Sequence, residues 1–415
     1  MSADGAGALP ALDIDWVRAQ FPAFSDPDGA ETVFMENAGG SYAARHTIER
    51  LTDFYTRSKV QPYSAFPASA RAGRLMDEGR GRLAEMLGVG EDELIVGPST
   101  TQNAYVLAEA FGEMLEQGDE IVVTNQDHEA NTGAWRRLAD RGIVVKEWEV
   151  DVTGRLDPDR LRAVMSPRTK LVTFPHASNI VAEINPVAEI AAIAHAGGAV
   201  VCVDGVSAAP HGLPHVPSLG ADIYLFSTYK TYGPHQGVMA IRRGLNRRLP
   251  NQGHGFNDAY LTKRLCPAGP DHAQIAALAG IADYVDAVYA HHIRGNEGPA
   301  ERSAAVARMM RAREAALTER LMAFLDTRAD LTMLGPRDAE RREPTVALVH
   351  ARPAGDLADA LAEHGVGAGG SSFYSPRVIR AMGHDPEHGV LRLSFLHYNT
   401  DEEIDRTCRA LEAVL

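Results

Sequence analysis

Lys230 stands in the run STYKTYGPHQG (227–237), directly after DIYLFST, a stretch patterned as a buried strand. Desolvation at such a strand end disfavours the ammonium form of a lysine and favours the free amine that condenses with a carbonyl. Taken alone, a lysine at a strand end is far more often a solvated surface residue. Its neighbours decide the matter. Asp204 closes the strand-like run AVVCVDG, and 230 − 204 gives 26 residues, about one strand–helix–strand step. Such a step brings both side chains to one rim of a sheet. A carboxylate there can hold a pyridine nitrogen protonated and so make the ring an electron sink. Alone, Asp204 reads equally well as a turn aspartate, which is common before glycine.

The third constellation is GPSTTQN (97–103), between the strand-like ELIVG and a helix starting near Gln102. Hydroxyls and free backbone N–H groups at a helix start make a phosphate site, and Thr100 and Thr101 are its candidates. Plain N-capping explains the motif alone just as well. The GxxxxGK[ST] pattern of a nucleotide-binding P-loop is absent.

The elements that must position these residues form an alternating series. Between about Glu91 and Arg243, the runs ELIVG, DEIVVTN, GIVVKEWEV, TKLVTFPHAS, AVVCVDG, DIYLFST and GVMAIRR read as strands. VAEIAAIAH (187–195) reads as a helix closed by Gly197 and Gly198. The expected fold class is α/β, with a mostly parallel, seven-stranded-type sheet in a large domain and ligands at its carboxyl rim. After about Asp283 the pattern changes to a long helix (298–325), the strand PTVALVH, an Ala-rich helix, the loop GAGGSS, the strand VLRLSF and a final helix from Thr400. We expect an N-terminal segment (1–25) packing with a smaller C-terminal α+β domain (286–415), and a large domain over 26–285.

Bulk properties set the limits. The chain has 415 residues, 45% hydrophobic and 23% charged, which suits a folded enzyme rather than a disordered chain. A net charge of −14 without a basic stripe argues against nucleic acid as a partner. No apolar run reaches membrane-spanning length, and residues 1–16 lack the marks of a leader. Cys202, Cys266 and Cys408 are too few and too scattered for a disulfide framework or a thiolate metal site, so no metal is expected. Together these features suggest the cytoplasm.

Seven blocks in order carry a resemblance over nearly the whole chain. They are FMENAGG (34–40), GPSTTQN, DHEANTGAW (127–135), HASNIVAEINP (176–186), VDGVSAAPH (203–211), STYKTYGP (227–234) and LRLSFLHYNTDEEIDR (391–406). In them the chain resembles the class V, fold-type I enzymes that use pyridoxal 5′-phosphate (PLP), within the cysteine-desulfurase and selenocysteine-lyase-like group. The resemblance implies PLP as cofactor, a small amino acid as substrate and a homodimer whose 266–272 loop reaches the neighbouring site. It implies that Lys230 carries PLP as a Schiff base, that His128 stacks on the ring and assists proton transfer, and that Asn179 contacts the phenolic oxygen or the substrate carboxylate. Ser227 would join Thr100 and Thr101 at the phosphate, with Ser207 and Asp204 also at the cofactor. Arg392 and Asn37 would hold the substrate, the guanidinium gripping its carboxylate in two places.

The chain also departs from that family. Tyr229 stands where a histidine usually precedes the lysine, and Ser207 replaces a glutamine. Gly269 or its neighbours in CPAGPDH fall where a threonine or similar residue usually reaches the neighbouring phosphate. The loop GAGGSSFYSPR (367–377) lacks the nucleophilic cysteine of desulfurases and offers Tyr374 near that place. Tyr42, Tyr63, Tyr374 and His397 are candidates for the substrate side-chain pocket. The expected reaction is a β-elimination at C–S or C–Se without an enzyme-bound persulfide. Transamination, epimerisation and a non-catalytic PLP-binding relative are the alternatives, the last disfavoured because both the lysine and the aspartate are present. A nicotinamide-binding enzyme would need a GxGxxG between the first strand and helix, and none stands there.

Overall fold

The computed structural model describes residues 9–27, 31–269 and 271–415. Residues 1–8 of the expected N-terminal segment, and position 270 of the 266–272 loop, lie outside the described residues. A short strand, β1 (Val33–Phe34), precedes the helices α1 (Arg45–Arg57) and α2 (Pro67–Leu87). The alternating series then begins with β2 (Leu94–Gly97), α3 (Thr100–Met114), β3 (Glu120–Thr124) and α4 (Glu129–Arg136). It continues through β4 (Val144–Trp148), β5 (Thr169–Pro175), α5 (Val187–Ala196) and β6 (Val200–Asp204). It ends with β7 (Ile223–Ser227) and β8 (Gly237–Ile241).

These seven strands, β2 to β8, form one sheet in the order β2-β8-β7-β6-β5-β3-β4. Only β8 runs against its neighbours; the other pairings are parallel. Each strand lies where the sequence suggests one, and the reason is burial on both faces. Alternate residues enter different cores: Val201 and Val203 pack in one cluster, Cys202 between them in another. The same split separates Val122 from Ile121 and Val123. Continuous apolar runs are what a sheet covered on both sides requires.

The α6 helix (His272–His292) runs unbroken past position 285, where the sequence suggests a division, and the chain next leaves helical geometry at Ile293. We propose the 293–298 segment as the boundary. Beyond it come α7 (Pro299–Leu325), β9 (Thr332–Leu334), β10 (Thr345–Val349) and α8 (Ala354–Glu363). The last elements are β11 (Val366–Gly367), β12 (Gly369–Ser371), β13 (Val390–Ser394) and α9 (Asp401–Val414). A second, antiparallel sheet has the order β12-β13-β10-β9, and β11 pairs in parallel with β1. The chain at Asp13–Arg18 touches both parts. Trp16 stacks on His291 at 4.3 Å, while Arg18 bonds the Tyr398 carbonyl and the Glu403 carboxylate, each at 3.0 Å. Among the described residues, no helix is long and apolar enough to cross a membrane.

The last helix shows how local chemistry fixes an element. Thr400 accepts from the Glu403 N–H at 3.1 Å, and the Glu403 carboxylate accepts from the Thr400 N–H at 2.9 Å. This reciprocal cap satisfies two helix-end donors. Thr400→Ala should cost about 1 kcal/mol of stability, read from the denaturant midpoint, with turnover unchanged.

Candidate active site

The carboxyl ends of β5, β6 and β7 open into a cavity of about 520 Å³. The start of α3 and the first residues of α4 form one wall. Glu36 after β1, Phe373 and Tyr374 after β12, and Arg392 on β13 close it from the side of the second sheet. Thr100, Thr101, His128, Asn179, Asp204, Ser207, Ser227, Lys230 and Arg392, far apart in the sequence, all line this one space.

Lys230 sits in a single 3₁₀ turn (Thr228–Lys230) that follows β7. Thr228 locks the turn, its N–H bonding the Gln236 carbonyl at 2.9 Å and its hydroxyl the Pro234 carbonyl. Withdrawal from water, reinforced by the nearby Arg392 charge, brings the Lys230 ammonium down to about 8. At pH 7 that leaves roughly a tenth of it as free amine, against less than about one part in a thousand for an ordinary lysine.

Asp204 is buried, and its Oδ1 accepts from the Val206 N–H at 2.9 Å. Among the described residues no hydrogen-bond donor reaches Oδ2. Burial raises this carboxyl to about 6, against the pull of the Val206 N–H and Lys230, so it is largely ionised at neutral pH. Asp204 therefore offers a carboxylate with one oxygen fixed and the other free for a ligand.

At the start of α3, Ser99 caps the helix by accepting from the Gln102 N–H at 3.1 Å. Thr100 Oγ1 and Ser227 Oγ lie 2.8 Å apart, joining the helix start to the end of β7. Gly237 makes this approach achievable. A Cβ there would fall 2.2 Å from the Ser99 carbonyl carbon and 2.3 Å from the Thr100 nitrogen. Hydroxyls and helix-start N–H groups thus border one end of the cavity, an arrangement suited to a phosphate.

His128 caps α4 through its ring, with Nδ1 accepting from the Ala130 N–H at 3.0 Å. That bond leaves the ring proton on Nε2. Burial, with the Lys230 and Arg392 charges, lowers its pKa to about 4, so the imidazole is neutral at physiological pH.

Asn179 lines the cavity, but its amide is already committed. Its Nδ2 donates to the Phe373 carbonyl at 3.1 Å, and its Oδ1 accepts from the Ser375 hydroxyl at 2.8 Å. These bonds hold a turn in which Phe373 and Tyr374 both adopt positive φ, 48° and 56°, which is costly for side chains of this size. A further bond, from the Glu129 N–H to the Tyr374 carbonyl at 2.8 Å, fastens the turn to α4. Asn179 is thus the anchor of the 373–375 turn.

Arg392 is buried and already has partners. It pairs with Glu36 at 2.5 Å, lies over the Phe373 ring at 3.7 Å and donates to the Asn179 carbonyl at 3.4 Å. The Glu36 pair was not read from the sequence, although Glu36 sits inside the FMENAGG block; an acid in that block was the available signal.

Asn37 is the one residue of the expected set outside this cavity's lining. It is buried, donates to the Phe34 and Ser394 carbonyls, and accepts from the Tyr398 hydroxyl. These bonds tie the chain after β1 to β13, and Asn37 borders a small adjoining space that Ser207 and Lys230 also line. Three of the four side-chain pocket candidates also lie elsewhere. Tyr42 packs against Phe24 and Phe34, Tyr63 bonds Asp77 and Arg80, and His397 is fully buried against Tyr284. Tyr374 alone of the four reaches the cavity, at its exposed mouth.

A sequence-family model, Aminotransferase class-V, matches residues 33–297 and 302–407. The chain is 32% identical to the aminotransferase-like protein FGM3 of Gibberella zeae, over 98% of this chain and 99% of that one. It is 28% identical to the cysteine desulfurase-like protein ustD of Aspergillus flavus, over 97% of this chain and 91% of the other. In fold it is similar to a cysteine desulfurase from Thermococcus onnurineus, with a TM-score of 0.83 at 24% identity and 99% of both chains covered.

Two outcomes check this geometry. The His128 ring should show no titration in NMR between about pH 5.5 and 8, because its pKa lies near 4. Asn179→Ala should release the 373–375 turn, seen as faster amide hydrogen exchange across 371–376 with little change elsewhere.

Proposed function

The chain belongs to the class-V aminotransferase family, whose members use PLP, and from that premise we propose a β-elimination lyase acting on a small α-amino acid. The observation that supports the reading is the convergence on one cavity of Lys230, the free Asp204 oxygen and the hydroxyl-lined start of α3. These are the donor types the cofactor requires: an amine for its aldehyde, a carboxylate for its ring nitrogen and donors for its phosphate.

Lys230 would hold the cofactor covalently, Asp204 its ring nitrogen, and Thr100, Thr101 and Ser227 its phosphate. His128 and Ser207 would border the ring. Bound PLP supplies an electron sink for the electron pair left when the substrate loses a proton at its α-carbon. Lys230, already low in pKa, would be the base that takes that proton. Arg392 would bind the substrate carboxylate. Neutral His128, with its proton on Nε2, is a hydrogen-bond donor toward the cavity rather than a second base.

The placement of the thiols supports elimination without an enzyme-bound persulfide. None of the three cysteines lines the cavity. Burial raises Cys202, pushes Cys408 up to about 11 and raises Cys266, whose Sγ donates to the Ala268 carbonyl at 3.0 Å. The mobile thiolate that a persulfide relay needs is absent from the turn at 371–375, which carries Ser371, Ser372, Phe373, Tyr374 and Ser375. Transamination is the second reading, favoured by the similarity to an aminotransferase-like protein. We further propose a homodimer in the cytoplasm.

A panel of amino acids assayed for pyruvate, sulfide or selenide, and other keto acids tests the reaction. The lyase reading expects catalytic keto acid and ammonia with the β-substituent released free in solution. A persulfide trapped by alkylation on Cys266 would contradict it, and keto acid formed only with an amino acceptor would establish transamination instead. Asp204→Asn should cut turnover by at least about a hundredfold, since an amide cannot hold the ring nitrogen's proton electrostatically.

A further inference from the structure

Glu36 places a second carboxylate where the substrate's carboxylate is expected. Its Oε1 pairs with Arg392, and its Oε2 is buried without a hydrogen-bond partner. The carboxylate is seated between two glycines. A Cβ on Gly39 would come within 3.0 Å of Oε1, and one on Gly369 within 3.0 Å of Oε2. Room for this acid is therefore built into the backbone on both sides.

The charges around the cavity make its effect specific. Among the described residues that line it, the cationic side chains are Lys230 and Arg392, and the acidic ones are Glu36, Glu129 and Asp204. Glu129 pairs with Arg377 at the mouth. Lys230 is consumed by the cofactor, whose phosphate adds further negative charge. Among the described residues lining the cavity, Arg392 is thus the one cation left for a substrate, and Glu36 already shares it. One α-carboxylate can still use N–H groups of the guanidinium that Glu36 and the Asn179 carbonyl leave open. A second carboxylate on the side chain would find no further cation among the described lining residues and would face Glu36.

We infer that Glu36 is a specificity-determining residue that restricts the site to amino acids with uncharged or cationic side chains. The inference rests on the reading of Arg392 as the carboxylate receptor.

Asparagine and aspartate are isosteric probes that differ only in this charge, and glutamine is the matching replacement for Glu36. Binding of each to the holoenzyme is read as a dissociation constant from the change in the cofactor's absorption spectrum, with no turnover required. The wild type should bind asparagine at least about tenfold more tightly than aspartate, and Glu36→Gln should shrink that ratio about tenfold. Glu36→Asp, which keeps the charge, should retain most of the preference. A purely structural Glu36, serving only to neutralise Arg392, would alter the unfolding midpoint but leave the asparagine-to-aspartate ratio unchanged in Glu36→Gln. That unchanged ratio, or equal binding of the two probes by the wild type, overturns the inference. Arg392→Ala separates the two claims: if it binds both probes as tightly as the wild type, the carboxylate receptor itself is wrong. If Arg392→Ala weakens both while the ratio ignores Glu36, only the specificity role fails.

Discussion

A guanidinium withdrawn from water is tolerated only when its charge is met, and the active site is arranged around meeting that of Arg392. Its charge is paired by Glu36, its face is covered by Phe373, and its edge reaches the Asn179 carbonyl. These partners come from the chain after β1, the turn after β12 and the segment after β5. One buried cation therefore ties the rim of the large sheet to the second sheet. Removing a partner from such a group commonly costs about 3–5 kcal/mol, because the remaining charge is stranded. The strained Phe373–Tyr374 backbone belongs to the same assembly, held by Asn179 from one side and Glu129 from the other.

Desolvation supplies the reactivity on the other side of the cavity. The same withdrawal from water moves three groups in the directions their proposed tasks need. It lowers Lys230 toward the free amine, keeps His128 neutral and raises Asp204 without neutralising it at pH 7. None of these groups is remarkable by type. Their setting at the end of a sheet buried on both faces gives them their chemistry: Asp204 ends β6, Lys230 sits in the turn after β7 and His128 caps α4 after β3.

Much of this was legible in the chain because buried strands punctuated by turns write themselves as apolar runs, and all seven strands of the large sheet appear so. The helices α1, α2 and α6 were not read. α6, with Ala276, Ala277, Ala279 and Ala282 buried around most of its circumference, has no polar face to create a period. β1, β9, β11 and β12 are two or three residues long, below what any pattern carries. Asp204 and Ser227 end strands, Thr100 starts a helix, His128 caps one and Lys230 lies in the turn after β7, so residue type and position coincide for each. Glu36 was passed over beside Asn37, although the structure places the acid in the cavity wall and the amide beside it. Adjacent residues after a short strand point to opposite sides, and no periodicity reaches across so brief an element. The side chains that Asn179 and Arg392 already engage lie far from them along the chain, so sequence alone had no access to them.

The central claim is that Lys230 carries the cofactor, and borohydride reduction of the purified protein followed by peptide mapping tests it most directly. Reduction should abolish the yellow absorption of the native protein and fix one pyridoxyl group on the peptide that contains Lys230, and Lys230→Ala should yield no such adduct. A reduced adduct mapped to any other lysine, or a wild-type protein whose bound PLP leaves no covalent mark after reduction, would contradict the account.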